Sequence, residues 1–457
     1  MLQLQQNSTS RNCQGISRRS ALKAGFLGLA GLTLADILRL QAEASVPRKD
    51  TSVILLWLDG GPSQLETYDP KPEAPVEYRG PYGVSSTNVP GITITDHLPL
   101  STRHADKMVI LRSVHHNTGD HFAGGHWMLT GRGGATGASQ TPRHPSFASY
   151  ISKVRGSNDP AMPAYVGLPA AQSIYLYPGY QGSAYLGQQY NPFDVNREQV
   201  YLAASQGPID KPKCLQNFSG EQDALIRNRS GLLSGLDHLQ RNLDQSGTME
   251  ALDRYQQQAM SMILGGKARK ALDLDREDPR TIDKYGRNPW GMYTLMARRM
   301  VEAGVTFCTV DMPHWDDHSG IDKGHGYKIP AVDKAFSALM DDLEVRGMLD
   351  RVLVMVMGEF GRTPRINDGQ PGIPIPGRDH WGNCFSVVLA GGGLRGGQVI
   401  GKSSAKAEFP VERPLRPGDV LATVYKVMGV DPTLNFLDHR GRPVPMLDEG
   451  QAIREAF

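Results

Sequence analysis

Apolar residues in this chain come in short unbroken runs, each emptying into a polar, glycine-bearing stretch. The run from Val352 to Met357 has Asp350 before it and Gly358-Glu-Phe-Gly-Arg-Thr-Pro-Arg365 after it. The runs from Val53 to Leu58 and from Val305 to Val310 are built the same way. Runs of this length, too short for helices and apolar throughout except at Thr306 and Thr309, predict strands buried on both faces. Met108 to Leu111 and Phe385 to Leu389 predict two more. Between them the spacing changes. Phe336, Leu339, Met340 and Leu343 lie on one face of a helix predicted over 329–346, closed by Gly347. Other helices are predicted across 220–303, the last spanning Tyr293 to Ala303, and from Pro417 onward. A short helix is expected to open at Gly124-Gly125. Strands alternating with helices imply an α/β fold: a central, mostly parallel sheet with helices on both faces.

In such sheets ligands bind past the carboxyl ends of the strands, and most of the chain's candidate chemistry lies there. Asp59 and Ser63 follow the first run in Asp59-Gly-Gly-Pro-Ser63. The run ending at Val310 leads into Asp311-Met-Pro-His314-Trp-Asp316-Asp317-His318, a carboxylate–imidazole cluster suited to a hard or borderline divalent ion such as Zn, Mn, Mg or Ca. Glu359, Arg362, Asp379 and His380 follow the run ending at Met357. The strand starting at Met108 leads to His115, His116, His121 and His126, a dense group in a chain with 13 histidines. Gly391-Gly-Gly-Leu-Arg-Gly-Gly397 lacks the spacing and following helix of a dinucleotide fingerprint.

Composition narrows the class. The 457 residues are 39% hydrophobic and 21% charged, ordinary for a large globular core. Residues 1–44 form an expected export signal: Ser17-Arg-Arg-Ser-Ala-Leu-Lys23, an apolar stretch from Ala24 to Ala35, and Ala42-Glu-Ala44 for cleavage. That segment carries five basic and two acidic residues, so its removal takes the formal charge from +2 to −1. A near-neutral mature chain gives no basic footprint for nucleic acid. The expected location is periplasmic or extracellular, reached by the twin-arginine translocase, with membrane contact only through an uncleaved signal. Of Cys13, Cys214, Cys308 and Cys384, the first lies in the signal, and no disulfide framework is implied. Residues 45–457 are expected to form a single domain with the helical insertion around 220–303. Tyr175, Tyr177, Tyr180, Tyr185 and Tyr190 suit a substrate-facing loop region.

With these pieces together, the chain resembles the exported bacterial family called domain of unknown function 1501. The motifs are the twin-arginine leader, Arg298-Arg-Met-Val-Glu-Ala-Gly304, Trp315-Asp-Asp-His318, Gly358-Glu-Phe-Gly-Arg-Thr-Pro364 and Gly377-Arg-Asp-His-Trp381. The resemblance implies a branch of the alkaline phosphatase/sulfatase superfamily and its fold. It implies Asp59, Asp316, His318, Glu359 and His380 as metal ligands, with Asp311, His314 and Asp379 as alternates. His121 to Arg132 is similar to the end of the sulfatase nucleophile signature, keeping Thr130-Gly-Arg132 but placing His121 where the oxidised cysteine belongs. His121 is then ligand, nucleophile or structural imidazole, with His126 and Arg362 as further catalytic candidates, Arg362 and Arg365 clamping the anionic group by paired hydrogen bonds, and Ser63 as an alternate nucleophile. The implied activity is metal-dependent hydrolysis of a sulfate or phosphate ester, possible substrates including sulfated or phosphorylated glycans. The alternative is an exported binding or scaffold protein that kept the fold and lost the nucleophile.

Overall fold

Eight strands form the central sheet of the structure, a computed structural model that describes residues 50–133, 143–171, 181–212, 215 and 266–457. They are β1 (Ser52–Trp57), β2 (Met108–Val114), β3 (Tyr165–Leu168), β4 (Phe193–Asp194), β5 (Phe307–Asp311), β6 (Val352–Met357), β7 (Phe385–Gly391) and β8 (Gln398–Ile400). Their spatial order is β8-β2-β7-β6-β1-β5-β3-β4. From β6 to β4 every pairing is parallel. β7 runs antiparallel to both β6 and β2. The expected mostly parallel sheet is the one observed.

Alternation along β1 shows both faces covered. Ile54, Leu56 and Leu58 enter one core with helices α3 (Pro289–Glu302) and α4 (Ile321–Val345). Val53, Leu55 and Trp57 enter the other with α1 (His121–Thr130), α2 (Phe147–Arg155) and α5 (Pro417–Met428). All six residues of β6 are buried. At roughly 1.5–3 kcal/mol per large apolar side chain removed from water, burial on this scale fixes where the strand ends, and so where Glu359 sits.

Three departures from the sequence reading have local causes. β2 continues to Val114 because Arg112 donates to the carbonyls of Tyr68 and Thr93, and Ser113 to that of Arg413, so polar side chains are satisfied within a buried strand. α1 opens at His121 rather than at the glycines, capped by the Asp120 carboxylate on the Ala123 amide. α4 begins eight residues before Ile329, through Gly324, Gly326 and Pro330. Its first turns are held by tertiary bonds from His325 and Lys328 rather than by propensity.

Contacts group the described residues into one compact unit. The export segment, Cys13, Cys214, Tyr175, Tyr177, Tyr180 and the insertion between 216 and 265 lie outside the described residues. Among those described, no helix is long and apolar enough to cross a membrane.

Candidate metal centre

β6, β1 and β5 are adjacent and parallel, and in register Trp57 pairs with both Met357 and Asp311. Strands in a sheet lie about 4.8 Å apart. Residues at or just past three neighbouring strand ends are therefore brought together, and here they are Glu359, Asp59 and Asp311. All three are buried, with exposures of 0%, 0% and 1%. The Gly60 amide donates to both Glu359 oxygens, at 3.0 and 3.2 Å, and the Trp57 indole to Asp59 at 3.2 Å. Gly60 has a φ of 113°, and a Cβ there would strike the backbone of Trp315 and Asp316. The turn after β1 thus lies directly against the loop after β5.

Asp311 is the anomaly. Neither of its carboxylate oxygens has a hydrogen-bond partner. Burial, then the Asp59 and Glu359 charges, pushes its pKa well above the usual carboxylate range. A buried carboxyl without a donor is costly, and a cation is the natural compensation.

Asp316 collects the imidazoles. Its Oδ1 lies 3.0 Å from His318 Nε2 and 2.9 Å from His380 Nε2, and its Oδ2 3.3 Å from His121 Nε2. Burial would raise its pKa, but hydrogen bonds from His121, His318 and His380, with the Arg362 charge, hold it well below the ordinary value. Ligand atoms of His121, Asp316 and His380 all fall within 4.8 Å of one another. The other His121 nitrogen, Nδ1, is 2.6 Å from Glu359 Oε1, so one ring spans the Asp316 group and the buried carboxylate trio. Burial works against its proton, yet the hydrogen bonds to Asp316 and Glu359 prevail and the pKa rises to about 9. The donor set of carboxylate oxygens and imidazoles, with an orphaned buried carboxyl among them, fits a divalent ion.

The remaining sequence candidates fall in distinct places. His318 sits at the mouth, its Nδ1 2.7 Å from Asp379, which in turn is held by Asn367 and Gln370. Asp316 and the Asp379 contact raise the His318 pKa, while burial lowers that of His380, whose Nδ1 meets the Gly119 carbonyl at 2.6 Å. Arg362 is fully buried and spends its donors on the carbonyls of Gly60, Gly61, Trp315 and Arg378 and on Asp316. The expected grip on a substrate anion is replaced by a tie between loops. His126 lies on α1 but bonds the Arg132 carbonyl and packs against His144. Five residues on from His121 at about 100° per residue, it points roughly 140° away. His314 bonds the Tyr201 carbonyl, not the cluster. Ser63 is buried, its hydroxyl on Glu66.

Sequence reasoning missed His325 and Lys328, which contact Asp317 from the first turns of α4. Their separation of three residues put them on one helix face, but Gly324 and Gly326 hid the first turns of that helix.

The profile of a family described as protein of unknown function (DUF1501) matches residues 50–457. No curated protein matches this chain. Among solved structures it is similar to the PsFucS1 sulfatase from Pseudoalteromonas sp., at 13% identity over 92% of this chain and 74% of that one, with a TM-score of 0.43. It is also similar to the phosphonate monoester hydrolase of Agrobacterium radiobacter, at 10% identity over 89% and 77% of the two chains, TM-score 0.39. A magnesium-bound variant of TAB5 alkaline phosphatase is similar at 11% identity over 84% and 99%, TM-score 0.36.

Proposed function

The chain belongs to the DUF1501 family, and from that premise we propose that it is an exported, metal-dependent hydrolase of sulfate or phosphate esters. The observation that carries the reading is the orphaned, buried Asp311 beside Asp59 and Glu359, one imidazole away from Asp316 and His380. Asp316, His380 and His121 would hold an ion, and the buried Asp59, Asp311 and Glu359 carboxylates would add their negative charge behind it. A divalent ion there would supply Lewis-acid polarisation of an ester oxygen.

The chain's own groups have separate tasks. His318 is part-exposed, with Nδ1 on Asp379 and Nε2 on Asp316, and would orient the Asp316 carboxylate. Arg362 keeps the Asp316 carboxylate in place from a fully buried position. The substrate class we assign is an anionic ester, with sulfated and phosphorylated glycans tested alongside small aryl esters. Residues 1–44 support delivery by the twin-arginine route to the periplasm or beyond.

One observation favours the rival reading, a non-catalytic binding protein. Both His121 nitrogens face carboxylates and the Ser63 hydroxyl is buried against Glu66, so neither offers a poised nucleophile. Elemental analysis of the purified protein, followed by assays on aryl sulfates and phosphates, separates the two. Stoichiometric ion with turnover lost in Asp316→Ala supports the hydrolase. Ion without turnover supports the binding protein, and absence of both refutes the metal reading.

A further inference from the structure

Beside the centre lies a constellation that looks like a Ser-His-Asp triad and is not one. His325 is fully buried, with Nδ1 2.7 Å from Asp317 Oδ2 and Nε2 3.0 Å from the Ser63 nitrogen. The Ser63 atom is the backbone amide, which can only donate. Nε2 must therefore carry the lone pair and Nδ1 the proton that it gives to Asp317. The hydroxyl of Ser63 is elsewhere, on Glu66. With its nucleophile position filled by an amide, the Asp317–His325 pair cannot activate a serine.

It can set a distance. Ser63 closes the turn that begins at Asp59, and Asp317 adjoins Asp316 in the loop after β5. The imidazole is a rigid spacer between these two loops, and α4 is the body that carries it. Asp317 is anchored on its other side by Lys328 Nζ, 2.8 Å from each carboxylate oxygen, which also donates to the His314 carbonyl. A Cβ at Gly324 would collide with the Asp317 carboxylate, so glycine within α4 is what lets the loop seat there. Trp315 stacks edge-on against His325, with centroids 5.1 Å apart.

We propose that His325 is a positioning residue of the metal centre, fixing the separation of the Asp59 and Asp316 loops through the Ser63 amide and the Asp317 carboxylate. The inference rests on the metal reading above. Supporting groups around a metal site commonly change ion affinity 10–100-fold when removed.

The test measures ion binding by calorimetry, and the visible spectrum of the cobalt-loaded protein, for wild type and three variants. His325→Ala removes both bonds. His325→Asn can keep the donor to Asp317, and His325→Gln the acceptor for Ser63. We expect affinity to fall about 10–100-fold in His325→Ala, with an altered cobalt spectrum and partial recovery in at least one of the other two. Should His325→Ala fail to fold, the Asn and Gln variants carry the same comparison. If the variants melt lower in ion-free buffer yet keep wild-type affinity and spectrum, His325 only stabilises the fold and the inference is overturned. If wild type itself binds no ion, the metal reading fails first, and this inference with it.

Discussion

Replacing Asp311 by asparagine should move the stability of the ion-free protein and its response to ions in opposite directions. In the ion-free protein Asp311 is a buried carboxyl with neither oxygen bonded, beside Asp59 and Glu359. An uncompensated buried polar group costs about 1–3 kcal/mol. Asparagine removes the charge, and its amide can donate to a neighbouring carboxylate, so Asp311→Asn should recover about that much. With an unfolding entropy of roughly 2.1 cal/mol/K per residue over about 400 residues, 1 kcal/mol corresponds to about 1 °C. A rise of about 1–4 °C in Tm is expected in chelator-treated buffer. The sign depends on pH. Because burial raises the Asp311 pKa, wild type loses stability as pH climbs above the unfolded-chain value near 3.8 and through the folded-state value. The advantage of Asp311→Asn should be absent below about pH 4 and grow above it. Adding ion reverses the order. At 1,000 times Kd an ion stabilises by about 4.1 kcal/mol, whereas at 10 times Kd, after a roughly 100-fold loss of affinity, it gives only about 1.4 kcal/mol. Differential scanning fluorimetry with and without Zn, Mn, Mg and Ca reads both effects. A variant that melts lower without ion, and keeps the full ion-induced shift, would refute the argument that Asp311 awaits a cation.

Other outcomes follow from the same geometry. Against the opposing effect of burial, hydrogen bonds donated to two carboxylates raise the His121 pKa to about 9, so its contribution to ion-free stability should be full below about pH 6.5 and vanish as pH rises through about 9; a melting profile flat from pH 6 to 10 contradicts this. Ion binding must displace that proton, so calorimetric enthalpies at pH 7.5 should differ between buffers of different ionisation enthalpy. Arg362→Lys cannot reproduce the guanidinium's five-way tie and should cost about 3 kcal/mol or more of stability in ion-free protein; an effect confined to substrate KM would restore Arg362 as an anion clamp. Replacing Arg18 and Arg19 with lysine should leave precursor in the cytoplasm on cell fractionation.

The sequence by itself determined the sheet and the edge at which the chemistry sits. Runs such as Val352–Met357 are apolar at every position because both faces are covered, and that demand is local enough to read. Asp59, Asp311 and Glu359 were legible as strand-end carboxylates for the same reason. The sequence was silent on order in space. Only tertiary structure set β1 between β5 and β6, and that adjacency makes Asp311 a buried orphan rather than one more residue of an acidic loop. Arg362 looked like an anion ligand because a sequence shows a guanidinium and not the carbonyls it is tied to. His325 was invisible because its helix is specified by bonds to Asp317 and Ser63, residues on two other loops, and not by the propensity of its own Gly- and Pro-containing turns. Periodicity reports what a segment must bury. Which groups then meet is settled by packing between segments far apart in the chain.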